Sequence, residues 1–463
     1  MTEQLKLKLN DSKATRWGAL VIVAFTMMAA YYVNDVVAPL KTMLETDLAW
    51  SSTDFGFFTG GYSFLNVFFL MLIWGGLILD RFGIRFTGKL ATILMVGGTA
   101  LEYYAMTGLA GADATLFGIN EIFGYKTGVF VAFAGYSIFG VGAGVAGITV
   151  SKIIAKWFKG KELATAMGVQ VALARIGSQA GYAVAIPLAR AFGISTPVLL
   201  GLVLLLGGMI AFFIFAVMDK KLDKQMEAAA IAAGTEDEEE KFSFKDVKNI
   251  LVNPGFWLIA LLCVLFYSCV FPFQKFASEL MIIKYGINEN VAGTFAGLPA
   301  LGALILTPVF GGFIDKRGKS ASIMLLGSAM LICVHFIYAI PDINYWLVAI
   351  VLMIILGIAF SLVPSAMWPA VAKIFPVSQL GTAYALIFFI QNIGLWGIPT
   401  LIGWVLDAYC ISGKKPDGTN MYDYTVPMCI FTSIACLSLI VALLLKKADK
   451  KYGYKLEEPN IQK

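Results

Sequence analysis

The stretch VALARIGSQAGYAV, residues 171–184, carries a single charge, Arg175, inside a long apolar run. A guanidinium cannot shed its proton to escape burial, so something has to meet its cost. Its planar fork grips a carboxylate or phosphate in bidentate fashion. Two readings are open. Arg175 either pins helices together through carbonyls or a buried carboxylate, or it receives an anionic group on a cargo. Gln170, Ser178 and Gln179 nearby suit a wet cavity, and we read Arg175 as a cargo contact. A second stretch, SQLGTAYALIFFIQNIG at 378–394, shares Leu-x-Thr-Ala and Ile-Gly with KELATAMGVQVALARIG at 161–177. The match sets Asn392 at the place of Arg175, a polar head at the same depth.

Further polar and aromatic residues fall at mid-depth: Tyr62 and Asn66, Trp368, and Gln391 beside Asn392. These are candidate lining residues, though a Tyr or Trp at such depth often only packs. Asp35 and Glu102 are candidates for proton coupling, with a partnered structural carboxylate as the alternative. Lys152 lies about one turn from a helix end, where it either snorkels or contributes charge to the cavity. Lys275 and Glu279 are four apart and spaced to pair. Pro272 between them and the helix start is placed to kink the helix. There is no P-loop, metal-ligand cluster or nucleophile elbow, so neither ATP-driven pumping nor enzymology is supported, and no cofactor or metal is expected.

These residues must be held by membrane helices. Of 463 residues 59% are hydrophobic and 14% charged, against about 25% charged in soluble domains; mean hydropathy is +0.79. Twelve apolar stretches are long enough for a ~30 Å hydrocarbon core: 16–40, 54–79, 86–108, 128–156, 162–189, 196–218, 256–282, 290–314, 320–340, 345–373, 379–406 and 425–445. Backbone groups in lipid must be satisfied internally, so the stretches are helices. The fold class is an all-α polytopic membrane protein of two six-helix bundles. We expect a tail over 1–15, bundles over 16–218 and 256–445, a charged linker over 219–255, and a tail over 446–463. Arg175 then lies about 18 Å into its span, near the midplane where carriers built from repeats hold cargo.

Orientation follows from the basic residues. Lys41, Lys126, Arg190, Lys284, Lys414 and Lys415 fall on one side, and Lys152, Arg175 and Lys275 at membrane depth; all other Lys and Arg share the side of the two termini. Both termini are therefore expected in the cytoplasm, and the net charge of +5 reflects topology, not nucleic-acid binding. The only Asn-x-Ser/Thr match, at 10–12, is cytoplasmic, which favours a bacterial inner membrane over a glycosylated organelle. Cys410 is the one thiol expected to be exposed outside, with no evident disulfide partner.

Two loops repeat between the halves. GGLILDRFGIR (75–85) and GGFIDKRGKS (311–320) align Asp80 with Asp315 and Gly83 with Gly318. The offset of this match differs from that of the Arg175–Asn392 match by the length of an external loop, about 109–126, found only in the first half. Gly76, Asp80, Arg81, Gly83 and Arg85, with Gly312, Asp315, Lys316 and Gly318, form candidate gating loops: glycines for close helix approach, a carboxylate among bases for a charge relay. The loops resemble the signature of the major facilitator superfamily, which implies locking of the two bundles in the outward-open state.

WFKGKELATAMGVQVALARIGS (157–178), CVFPF (269–273) and MWPAVAKIFPVSQLGTAYALIFFIQNIGL (367–395) resemble a narrower group, the lysosomal dipeptide transporter family and its bacterial relatives. The resemblance implies alternating-access transport of dipeptides without ATP, with Arg175 holding the peptide carboxylate. It also implies an acid thirteen positions before Trp157 for the peptide's amino group, where this chain has Gly144. A dipeptide carrier is the leading reading. A proton-coupled symporter of organic anions, such as sugar acids, is the alternative, and a scaffold or sensor without transport is a third. The partners expected are a carboxylate-bearing small molecule and the lipid bilayer, with an accessory subunit and uniport or ion coupling both left open.

Overall fold

The structure, a computed structural model, describes residues 8–111, 114–158, 161–233 and 244–459. The acidic run at 236–240 lies outside the described residues. In chain order the elements are α1 (Lys13–Val36), a 3-10 turn (Ala38–Leu40), α2 (Lys41–Asp47), α3 (Ser52–Phe68), α4 (Met71–Thr107), β1 (Glu121–Ile122), β2 (Tyr125–Lys126), α5 (Thr127–Trp157), α6 (Leu163–Phe192) and α7 (Thr196–Ala233). The second half continues with α8 (Phe244–Val252), α9 (Pro254–Tyr285), α10 (Glu289–Ala296), α11 (Leu298–Arg317), α12 (Ser320–Ala339), α13 (Trp346–Ile374), α14 (Val377–Tyr409), β3 (Ile411–Lys414), β4 (Asn420–Tyr422) and α15 (Thr425–Tyr452).

Nine helical runs among the described residues are long and apolar enough to cross a membrane, and α3 with α4 qualify together as a pair bent by 58°. The bend sits at Phe69–Leu70, where Leu70 is left-handed with φ 53°. α4 is itself two helices meeting at Gly83 (φ 74°). A straight helix would separate Leu72 from Ala91 by roughly 28 Å. Yet Leu72 lies against Gly144 and Ala91 against Gly142, neighbours on α5. The chain therefore reverses at Gly83, and the bent pair makes two passages. α6, whose Gln170, Arg175 and Gln179 dilute its apolar run, makes the twelfth. Gly83 and its repeat mate Gly318 (φ 71°) both adopt a conformation that L side chains rarely take.

The first half packs α1 on α6 and α7, and α4 on α5; the second packs α12 on α13 and α15, and α9 on α14. At the outer end, opposite the termini, the halves meet closely. A Cβ on Gly56 would stand 2.4 Å from the Pro399 carbonyl, and one on Gly403 2.2 Å from that of Ser52. A Cβ on Gly293 would stand 2.3 Å from the Tyr182 carbonyl. Glycine at these three positions lets α3 meet α14, and α6 meet α10, backbone to backbone.

At the inner end the tails dock on their own halves. Arg16 forks onto Glu162 and Lys161 reaches Asp11; these contacts hold both carboxyls below the usual carboxylate range. Beyond α15, the backbone carbonyls of Glu457 and Leu456 accept from the amides of Lys319 and Ser320 at 3.1 and 2.9 Å. The Glu457 carboxylate accepts from both the amide and the hydroxyl of Ser322 at 2.8 Å. Leu456 and Glu457 thus cap the turn that follows Gly318.

Candidate functional site

Arg175, on α6, projects between the halves. Its guanidinium lies 5.6 Å from the Tyr31 ring centroid on α1 and 4.9 Å from that of Phe360 on α13. It makes no ion pair or hydrogen bond among the described residues. Ring faces attract a guanidinium but leave its five N–H donors unmet. Tyr267, stacked on Phe271 and edge-on to Phe360, carries this aromatic wall along α9. Trp368 closes it by donating from Nε1 to the Tyr267 hydroxyl at 3.3 Å and stacking on Phe388. The wall joins Trp368 to the surroundings of Arg175.

The other expected lining residues spread more widely. Gln391 is buried and accepts from the Cys263 thiol at 3.8 Å. Asn392 is buried too, but its amide donates to the Phe388 carbonyl of its own helix at 2.8 Å. No contact joins it to Arg175 among the described residues. Tyr62 packs on Tyr136 and Phe139 of α5. Asn66 is buried with its Oδ1 unpartnered. A Cβ on Gly144 would stand 2.6 Å from Leu72 Cδ2 and 3.9 Å from Asn66 Nδ2. Gly144 is therefore a packing contact with the α3–α4 arm.

Above Arg175, one turn further along α1, Asp35 pairs with Lys275 of α9 at 3.2 Å. The same ammonium donates to the Asn34 carbonyl at 2.6 Å and to the Tyr136 hydroxyl at 3.4 Å. The expected Lys275–Glu279 pair does not form, because Lys275 turns across the bundle interface to this stronger set of acceptors. Glu279 instead receives Lys41 at 2.5 Å. Glu102 is fully buried with neither carboxylate oxygen partnered among the described residues, and the Lys275 charge acts on it. Lys152, read as either snorkelling or adding charge to the cavity, donates to Asp80 at 3.0 Å. α9 runs unbroken through Pro272.

The outer rim is a dense polar seam between the halves. Lys41 bridges Glu45 and Glu279 at 2.5 Å each, and both Tyr424 and Lys415 (3.8 Å) approach Glu279. Asp407 of α14 accepts from the Thr53 and Ser52 amides at 2.6 and 3.3 Å. A carboxylate from one half thus caps the start of α3 in the other, where the helix dipole favours negative charge. Arg190 of α6 reaches Glu289 and Asn290 of α10. Cys410 is buried beneath this seam, not exposed as expected, because β3 and β4 fold over it.

At the inner end the contacts of the first loop run within its own half. Arg85 pairs with Asp223 at 2.6 Å, and Asp219 accepts from Lys156 at 2.7 Å and from Trp157 Nε1 at 2.9 Å. Gly75, not Gly76, makes the close approach: its Cβ would meet Val145 at 2.5 Å, whereas Gly76 and Gly312 face open space. Arg81 lies over the Phe82 ring, and Asp80 stays with Lys152. With bundle-to-bundle ties gathered at the outer rim, this is a state closed outside. Asp219 and Asp223 were missed because they fall where the polar linker begins, and Tyr31 and Tyr267 because a lone tyrosine in an apolar run reads as packing.

Comparison with known proteins supplies the family. A model described as Major Facilitator Superfamily matches residues 20–399. The lysosomal dipeptide transporter MFSD1 of Homo sapiens is 28% identical over 450 residues, covering 94% of this chain and 87% of the relative. Among solved structures, the nucleoside transporter NupG aligns with TM-score 0.68 at 12% identity over 92% of this chain and 98% of its own. The peptide transporter POT in complex with sulfate aligns with TM-score 0.68 at 13% identity over 96% of each. All are transporters rather than enzymes, and the chain belongs to the Major Facilitator Superfamily as a multi-pass transporter of twelve helices in two bundles.

Proposed function

We propose that this transporter carries small carboxylate-bearing solutes, dipeptides or short peptides first, by alternating access, and that Arg175 receives the carboxylate. The observation that carries the reading is an unpaired guanidinium between the two bundles, held only by the Tyr31 and Phe360 rings. A structural pin would have a carbonyl or carboxylate partner, since leaving Arg unmet at membrane depth costs several kcal/mol. The dipeptide transporter among the relatives supports peptides as the leading class. The test is counterflow in proteoliposomes with labelled dipeptides and labelled sugar acids, wild type beside Arg175→Gln. Loss of charge-assisted contacts is expected to raise the half-saturating peptide concentration about tenfold to a hundredfold. Equal transport by the folded variant would make Arg175 a pin.

The second reading, proton-coupled uptake of a plain organic anion, draws on Gly144, where Leu72 leaves no room for an amine-holding side chain. Exchange of acids but not peptides would establish it. Tyr62, Asn66, Trp368, Gln391 and Asn392 are secondary lining candidates in either case. The basic residues support both termini in the cytoplasm. The inner membrane of a bacterium, expected above, gains no support from animal relatives named lysosomal.

A further inference from the structure

We infer that the Asn34 carbonyl, the Asp35 carboxylate and the Tyr136 hydroxyl form a binding site for a primary ammonium, occupied in this closed-outside state by the chain's own Lys275. The inference rests on the peptide reading above and assigns the cargo's other end. An –NH3+ group has three donors, and Lys275 finds three acceptors: Asn34 O at 2.6 Å, Asp35 Oδ1 at 3.2 Å and Tyr136 Oη at 3.4 Å.

The acceptors are set without help from Lys275. Tyr136 spends its proton on Asn34, donating to the carbonyl at 2.7 Å and Oδ1 at 3.1 Å, so its lone pairs face the ammonium. Asn34 Nδ2 donates to Asp35 Oδ1 at 2.8 Å and fixes the carboxylate. All three belong to the first half, on α1 and α5, whereas Lys275 belongs to α9 of the second. Separation of the halves at the outer rim withdraws Lys275 and leaves a formed cage facing the opening.

The spacing suits a dipeptide. Asp35 is one helical turn beyond Tyr31, about 6 Å along α1, and Arg175 lies over the Tyr31 ring. Two extended residues span up to about 7 Å, so a peptide with its carboxylate on Arg175 brings its amine to Asp35. When that amine takes the cage, Lys275 has an alternative in Glu102, whose two oxygens are otherwise unpartnered. Lys275 then acts as an internal substitute for the cargo, keeping Asp35 paired while the empty carrier is closed outside. The site that Gly144 lacks is thus supplied from α1.

The test compares counterflow of labelled Ala-Ala with its N-acetyl derivative, which keeps the carboxylate and loses the ammonium. Wild type is expected to prefer the free amine by roughly tenfold or more. Asp35→Asn combined with Lys275→Met removes both charges, leaves no orphan, and should abolish the preference. Tyr136→Phe keeps the ring, removes one acceptor, and should cut the preference severalfold. Wild type that takes both peptides equally, or a folded double variant that keeps the preference, overturns the ammonium site and leaves the carrier reading standing. Wild type that exchanges neither peptide overturns both.

Discussion

Two buried acids one helix apart behave differently because of what faces them. Asp35 has an ammonium, an asparagine amide and a tyrosine in its neighbourhood, whereas Glu102 has both oxygens unpartnered. Breaking a buried pair by removing one member costs about 3–5 kcal/mol, so Lys275→Met alone should lower thermal stability clearly. Glu102→Gln replaces a buried acid whose oxygens have no partner among the described residues and should leave the melting temperature unchanged or higher. A thermal unfolding series on purified protein checks both; a Glu102→Gln variant as unstable as Lys275→Met would mean that Glu102 is partnered. At this scale the sequence was readable where a charge interrupts an apolar run, as at Arg175. Asn392 sits at the repeat-related depth but bonds its own helix. Lys275 was read against its own helix, where the i,i+4 rule applies, although its partner comes from the other bundle. Spacing along one helix carries no record of what a facing helix presents.

Among the elements, the crossing of α3 with α14 decides whether the outer rim can close. Gly56→Val places new carbons on the Pro399 carbonyl, already 2.4 Å from an ideal Cβ. Peptide counterflow should fall at least roughly tenfold with the protein still monodisperse, since overpacking by one side chain costs about 1–3 kcal/mol. Wild-type exchange in this variant would mean that closure does not need the backbones in contact. The twelve spans were legible from apolar length, and the repeated turns from their glycines: Gly83 and Gly318 both take positive φ. The break at Phe69–Leu70 was not legible, because an apolar pair gives no turn chemistry and the conformation is imposed by packing.

At the scale of the molecule, the seam of Lys41, Glu45, Glu279, Lys415 and Asp407 ties one bundle to the other at the outer end, while Arg85, Lys156, Asp80 and Lys152 make their contacts within the first bundle. Glu279→Gln removes the carboxylate that holds Lys41, Lys415 and Tyr424 together. Each 1.4 kcal/mol lost from the closed state shifts the population tenfold, so the variant should rest with the outer rim open. Spin labels at Asp47→Cys and Asn288→Cys, both exposed at the outer end, in a background without native cysteines, should then report a longer separation than in the parent; an unchanged distance would show that the glycine crossings alone hold the rim.

The segment after α15, Leu456 and Glu457 against Lys319, Ser320 and Ser322, bears on how the protein can be handled. A fluorescent fusion joined directly after Tyr452 would strip the Gly318–Ser320 turn of its backbone acceptors. One joined after Lys463 would keep them, so two reporters a few residues apart are expected to describe carriers of different stability.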